Sequence, residues 1–384
     1  MSKNESKNSD RETAFFSAVK NDDAATVKKM VGETKQLLHA YDYDEFGGSC
    51  LNVAGGHRKN LEMVGLLVEL GADVNQKSDW WAGPWSPALL SLNYDDTAVC
   101  EYLVSQGAEV DAHLAAGLSR RDRLARILDQ EPNQIHARGG DGCAPLHFAG
   151  SCEIVDLLLD RGADIEARDV DHYSTPVQWV AGRHAPAARR LFDRGAKADI
   201  FSAALSGAVR VTSSLIDGDA DVMNWRINQD VFPPGPDLDV HNIMTFTVGA
   251  DATALHAAAV GNQPQIITLL VSRGMDVNVR GAYDSCSALH WAAWNDSVEA
   301  AIALLDSGAV IDQESGEIHQ STSMGWAIVA GSPGVAELLL NRGCERRDYY
   351  ATDAEKALAG AFRQIKSVKK ENYQKVVQLV ARHE

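Results

Sequence analysis

Two cysteine–histidine pairs have a spacing that invites metal chemistry: Cys143-x-x-x-His147 and Cys286-x-x-x-His290. A thiolate and an imidazole are both zinc ligands, and a short spacing can bring them to one point. A zinc site, however, usually needs four ligands, and the two pairs lie far apart along the chain. The sequence therefore favours a structural role for both histidines, and no metal site and no cofactor are predicted.

Candidates for acid–base catalysis gather in one proline-rich segment, which contains Asp237, Asp239 and His241. The chain has no G-x-S-x-G, H-E-x-x-H, phosphate-cradling G-x-x-x-x-G-K-[ST] or C-x-x-C motif. Acid–base catalysis requires convergent side chains with shifted pKa values, which a flexible loop gives no reason to expect. An enzyme or small-ligand binder built around this segment is the alternative function, and a non-enzymatic role is the main prediction.

The stretch 253–278 shows the local pattern on which the rest of the chain is built. The sequence predicts an apolar helix over 253–260, a Gly-Asn break, and a second helix over 263–272. Gly274 ends the second helix, because a left-handed turn costs least for a residue without a Cβ atom. Both helices are too short to be stable alone. They are therefore expected to pack against neighbours of the same shape.

The run Thr253-Ala254-Leu255-His256-Ala257-Ala258 resembles the T-P-L-H-x-A signature of the ankyrin repeat, whose period is roughly 33 residues. Related runs are Ala144-Pro145-Leu146-His147, Ser174-Thr175-Pro176-Val177 and Ser287-Ala288-Leu289-His290. The resemblance implies stacked helix–turn–helix units, with a motif histidine that orders the hairpin through hydrogen bonds to backbone. It also implies a protein-binding role, although it supports only the class, since one fold hosts unrelated functions.

The resemblance covers nearly the whole chain, because glycines that close a second helix recur at matching places: Gly71, Gly107, Gly162, Gly195, Gly274, Gly308 and Gly343. The fold prediction is an all-α ankyrin-repeat solenoid of about ten units, with short hairpin turns and one long insertion. Residues 1–10 are predicted to be a disordered tail and 11–352 the repeat array. Residues 353–384 are predicted to form a C-terminal helical cap.

The insertion, 222–251, interrupts the helical period. Its Phe232-Pro233-Pro234-Gly235-Pro236-Asp237 run predicts a rigid turn, and 243–248 has the alternation of a strand. A protruding hairpin or loop is expected, on the face where solenoid insertions often bind partners. The order of units around the insertion also resembles a group of bacterial ankyrin-repeat proteins, and this likeness implies no activity.

Candidate partner-binding residues come from the hairpin tips and from the place just after the inner residues of the first helix, where ankyrin repeats expose variable residues toward the inner groove. They are Trp80, Trp81, Asn93, Tyr94, His172, Tyr173, Arg183, Tyr283, Asp284, Trp294 and Asn295. Exposed aromatic side chains beside polar groups are typical of binding hot spots. Packing of Trp80, Trp81 and Trp85 on each other is an alternative. Trp179, Trp291 and Trp326, which follow the motif-histidine position, are instead predicted to fill the core.

The composition constrains the partner and the compartment. With 53 acidic and 36 basic residues the net charge is −17, which argues against nucleic acid. The sequence has no apolar run of spanning length, and its first ten residues show no signal-peptide pattern. Six scattered cysteines indicate reduced thiols. We therefore expect a monomeric, cytoplasmic protein-binding scaffold that does not bind membranes.

Overall fold

The computed structural model describes residues 8–56, 58–228, 230–232, 241–281, 285–316, 321–359 and 370–382. The fold is all-α, as predicted, with one two-stranded antiparallel ribbon, Tyr41–Asp42 (β1) against Gly48–Ser49 (β2). The chain divides into two compact units, Met1–Asp171 and His172–Glu384.

The first unit consists of short helices in consecutive antiparallel pairs. Its α-helices are α1 (Asp10–Lys20), α2 (Ala24–Glu33), α3 (Cys50–Gly55), α4 (Leu61–Leu70), α5 (Pro87–Asn93), α6 (Thr97–Ser105), α7 (Ala112–Gly117), α8 (Arg121–Gln130) and α9 (Cys152–Asp160). Its 3₁₀ turns are Lys35–His39, Pro132–His136, Gly140–Gly142 and Pro145–Phe148. Helix α1 begins at the last residue of the predicted tail, with Ser9 as its N-cap.

The second unit continues the same pattern with longer helices toward the C-terminus. Its helices are α10 (Pro176–Ala181), α11 (Ala185–Asp193), α12 (Ile200–Leu205), α13 (Val209–Gly218), α14 (Ile243–Thr247), α15 (Ala254–Val260), α16 (Pro264–Ser272), α17 (Ala288–Asn295), α18 (Val298–Asp306), α19 (Ser323–Ala330), α20 (Pro333–Asn341), α21 (Tyr350–Leu358) and α22 (Lys370–Arg382). One 3₁₀ turn, Ala220–Asn224, follows α13. Helix α22 and most of α21 lie in 353–384, the region predicted as a cap.

The best-matching repeat folds as its sequence predicts. Helix α15 is followed by α16, and Gly274 ends α16 with φ +99°, in the left-handed region. The Nδ1 atom of His256 accepts the Thr253 N–H at 3.2 Å, so the imidazole caps the start of its own helix. Three side chains then join this repeat to the following one.

Those three connections are hydrogen bonds to backbone. His256 Nε2 lies 3.0 Å from the carbonyl oxygen of Cys286. Asn262 Oδ1 accepts the Ala300 N–H and Asn278 Oδ1 accepts the Val310 N–H, both at 2.8 Å. The next junction repeats the arrangement through His290, Asp296 and Asp312. Side chains at fixed places in each repeat thus satisfy backbone groups of the next one, which fixes the register between repeats.

Two local predictions need correction. The first helix of the repeat at 144–164 is only a 3₁₀ turn, Pro145–Phe148. The insertion contains helix α14 where a strand was predicted, because Ile243, Met244, Thr247 and Val248 have the spacing of one helical face. Met244 and Val248 are both 0% exposed. This part of the insertion therefore packs into the unit and does not protrude.

Candidate functional site

Four aromatic side chains form a surface cluster at the tips of two successive hairpins in the first unit. Tyr43, Phe46, Trp80 and Trp81 are called the tip cluster here. Phe46 meets Trp80 edge-on with ring centroids 5.0 Å apart, and Trp80 lies 5.9 Å from Trp81. Phe46 is 52% and Trp81 56% exposed. Large apolar rings with this exposure are typical of binding hot spots when they are grouped.

Polar contacts hold the two hairpins of the tip cluster together. The Asp79 N–H donates to the Gly47 carbonyl at 2.8 Å, and the Tyr43 hydroxyl donates to Asp79 Oδ2 at 3.0 Å. Phe46 lies between these two contacts in the chain, in the turn that joins β1 and β2. The rings are thus presented on a braced surface, which lowers the ordering cost of binding.

Trp85 does not belong to this cluster. Its ring is 5% exposed and meets Phe148 edge-on at 5.8 Å, and its Nε1–H donates to Asp141 Oδ1 at 2.8 Å. Gly140 lies so close to this ring that a Cβ atom there would come within 2.2 Å of it. The alternative of three mutually packed tryptophans is therefore correct for Trp80 and Trp81 only.

The other predicted contact residues of the first unit are less exposed. Asn93 and Tyr94 are half-buried at the end of α5, where the Tyr94 N–H donates to the Leu90 carbonyl at 3.1 Å.

In the second unit, His172, Tyr173 and Arg183 are all half-buried. The His172 ring lies between Trp179, at 5.7 Å, and Phe246, at 5.1 Å. The Arg183 guanidinium lies 5.1 Å from the ring centroid of Trp179. Phe246, on α14, is 66% exposed and is not among the contact residues that the sequence predicts. These side chains form a mixed aromatic and cationic surface over α10.

Trp294 and Asn295 lie at the end of α17. Trp294 is half-buried and meets Trp326 edge-on at 5.5 Å, and its carbonyl accepts a hydrogen bond from Ser332 Oγ at 3.4 Å. Asn295 is exposed, and its Nδ2 donates to the Trp291 carbonyl at 2.9 Å. Tyr283 and Asp284, also predicted contacts, lie outside the described residues.

The core prediction for the other tryptophans holds in two of three cases. Trp179 is 3% and Trp326 8% exposed, whereas Trp291 is half-buried. The ring centroids of Trp291 and Trp326 lie 6.0 Å apart. Trp291 and Trp294 therefore both pack against the ring of Trp326.

The structure brings a carboxylate to one of the two cysteine–histidine pairs. Cys143, His147 and Asp169 are buried, and one ligand-type atom of each lies within 4.8 Å of the others. His147 Nδ1 accepts the Ala144 N–H at 3.1 Å, so in the neutral imidazole the proton is on Nε2. That nitrogen has no lone pair to offer a metal ion. The cap geometry therefore favours a structural His147, like His256 and His290.

Of the three residues of the alternative site, Asp237, Asp239 and His241, the structure describes only His241. Asp237 and Asp239 lie outside the described residues. His241 contributes its carbonyl oxygen, which lies 3.2 Å from His172 Nδ1. The contact is part of the packing of the insertion and not an acid–base pair.

Helix pairs closed by left-handed glycines, and joined by bonds from fixed side chains to the next backbone, define an α-helical repeat protein. A family model described as "Ankyrin repeats (3 copies)" matches residues 200–315, and one described as "Ankyrin repeat" matches 141–170. The chain therefore contains ankyrin repeats at 141–170 and 200–315.

Similar proteins share these repeats at modest identity. The chain is 27% identical over 242 residues to ankyrin repeat domain-containing protein SAT10 of Stachybotrys chartarum, covering 62% of this chain and 10% of that protein. It is 26% identical over 258 residues to ankyrin repeat and KH domain-containing protein mask-1 of Caenorhabditis elegans, covering 67% and 8%. Over 275 residues it is 26% identical to neurogenic locus notch homolog protein 2 of Homo sapiens, covering 62% and 10%. The chain thus spans a tenth or less of the length of these relatives.

Among the described residues, no helix combines the length and the apolar character needed to cross a bilayer. All six cysteines are free thiols, and five are buried.

Proposed function

We propose that this ankyrin-repeat protein is a non-enzymatic scaffold that binds another protein through its hairpin tips and the inner surface of its repeats. The observation that carries the proposal is the tip cluster. Hydrogen bonds between the two hairpins hold the cluster in place. Phe46 and Trp81 are each more than half exposed. A rigid aromatic surface loses little conformational entropy on docking, which is how a preformed interface gains affinity.

The half-buried residues near α5, α10 and α17 extend the proposal to the inner surface. Tyr94, Arg183 and Trp294 lie at or just beyond the end of the first helix of their repeats. Tyrosine, arginine and tryptophan dominate interface alanine scans. Arg183 and His172 already make aromatic contacts with Trp179, so a partner would meet an ordered surface there. We further infer that the protein acts as a monomer in the cytoplasm, in keeping with its free thiols.

The test compares the proteins retained by the wild-type chain with those retained by Phe46→Ser/Trp81→Ser. Affinity capture with quantitative mass spectrometry should show specific proteins lost from the variant. Val310→Ser is the matched control, because Val310 is 53% exposed and lies outside the tip cluster. Melting temperatures of the two variants should agree with wild type. Identical captured sets for wild type and the double variant would contradict the proposal.

A further inference from the structure

The carboxylates around the tip cluster are unevenly neutralised. Asp42 and Glu45 pair with Lys20 at 2.7 and 3.6 Å, and Glu45 also lies 3.8 Å from Arg58. Asp44 and Asp79 are exposed, and within the described part of the chain neither pairs with a lysine or arginine. The two hairpins, 41–49 and 73–85, contain five acidic residues and one lysine.

The aromatic rings strengthen the preference for a cation. A lysine or arginine over the face of tryptophan, tyrosine or phenylalanine is attracted by the negative face of the ring. The hydrogen bond from Tyr43 holds Asp79 beside the rings, at 3.0 Å from the phenol oxygen. A cationic side chain lying on the tip cluster would therefore meet ring faces and a carboxylate together.

We propose that the tip cluster binds a protein segment in which lysine or arginine stands next to an apolar side chain. The inference rests on the proposed protein-binding function and names the chemistry of the partner. The apolar side chain covers Phe46 and Trp81, and the cation compensates Asp44 and Asp79.

Other partner chemistries fit this surface less well. An uncharged apolar segment would partly desolvate Asp44 and Asp79 without pairing them, which is costly. An acidic segment, nucleic acid or an anionic lipid surface would be repelled by these carboxylates and by the net charge of −17. A basic and apolar segment satisfies both the rings and the charges.

The experiment selects ligands without assuming a sequence. A phage-displayed random dodecapeptide library is panned on the immobilised full-length chain, after depletion on the Phe46→Ser/Trp81→Ser variant. Sequences that depend on the tip cluster should be enriched in lysine or arginine beside phenylalanine, tryptophan or leucine. A selected peptide is then synthesised and its Kd is measured with charge variants.

Asp44→Asn/Asp79→Asn should weaken the selected peptide about tenfold, since two exposed charge pairs are lost. The asparagine at 79 keeps an acceptor for the Tyr43 hydroxyl. Glu62→Gln/Glu69→Gln is the matched control, because it removes two exposed charges from α4 in the same unit. This control should change Kd less than twofold, and raised salt should weaken the wild-type complex.

The outcomes separate the two proposals. If no peptide depends on Phe46 and Trp81, protein binding by the tip cluster is wrong. If dependent peptides are acidic or uncharged, or bind both charge variants equally, binding stands and the basic partner is wrong.

Discussion

The motif histidine links helix capping to the junction between repeats. His256 accepts the Thr253 N–H on Nδ1 and offers Nε2–H to the Cys286 carbonyl. The bond accepted by Nδ1 requires the neutral imidazole, and the residue is fully buried. Burial lowers the pKa of His256 to about 4, from a usual value of 6.5. Protonation of Nδ1 would therefore remove the helix cap as well as place a charge in the core, whereas the Nε2–H bond to Cys286 would remain.

The first prediction is that His256 makes the free energy of unfolding decrease at acidic pH. Above pH 6.5 both the folded and unfolded states hold neutral His256, and its contribution to stability is full. As pH falls toward 4, only the unfolded state binds the proton, so stability decreases, by about 3 kcal/mol in total. The free energy of unfolding, measured between pH 7 and pH 4 by urea titration, should show this loss.

The matched variant is His256→Gln, for which the chain offers a precedent. Gln178 occupies the motif-histidine place in another repeat, where its Oε1 accepts the Thr175 N–H at 3.0 Å. The variant should keep the cap and lose less stability than wild type on acidification. Equal losses in both proteins would show that other groups carry the acid response.

For Trp294, the sequence predicted a position in the repeat but not the side chains that it contacts. It was predicted to follow the inner residues of the first helix, and it lies near the end of α17. Its contact with Trp326 depends on two repeats packing together, which the sequence does not show. Aromatic pairs contribute about 0.5–1.5 kcal/mol beyond burial. We therefore expect Trp294→Ala to lower the free energy of unfolding by more than the ~0.5 kcal/mol typical of exposed sites. An unchanged urea midpoint would contradict this expectation.

At the level of elements, helix α14 and the 3₁₀ turn Pro145–Phe148 are two that the sequence misassigned. A short run with apolar residues at 243, 244 and 248 suits a strand or a helix, and periodicity over so few residues does not separate them. Helices α15 and α17 each follow a histidine signature and precede a closing glycine, and both were predicted correctly. Of the tip cluster, the sequence predicted Trp80 and Trp81 as contact residues. It did not predict Tyr43 and Phe46, because they belong to a hairpin whose repeat lacks the signature.

The packing of α14 gives an element-level prediction. Met244 is fully buried, whereas Phe246, two residues later, points to solvent with 66% exposure. Met244→Ala should cost about 2–5 kcal/mol through the cavity it leaves. Phe246→Ala, a matched change on the same helix, should stay within about 0.5 kcal/mol. Thermal unfolding followed by circular dichroism distinguishes the two, and equal stability of both variants would mean that α14 is not part of the core.

For the whole molecule, we expect stability to be distributed along the chain, because each repeat of such an array packs mainly against its neighbours. Exposed ion pairs recur between neighbouring repeats: Arg161–Asp129, Arg273–Asp217 and Arg342–Asp306. Each such pair contributes only about 0–1 kcal/mol. The junctions therefore depend mainly on buried side chains and on bonds from histidine, asparagine and aspartate to backbone.

The last prediction tests this distribution. Leu270 is fully buried on α16, which packs against α13 and α18. Leu270→Ala should cost about 2–5 kcal/mol, and in a nearest-neighbour array the loss falls on the adjacent repeats. Hydrogen exchange should accelerate first in α15–α18, while amides of α3–α6 in the first unit keep their wild-type rates. Gln265→Ala, at an exposed position of α16, should leave every rate unchanged. Uniform acceleration throughout the chain after Leu270→Ala would show global cooperativity, and the nearest-neighbour description would be wrong.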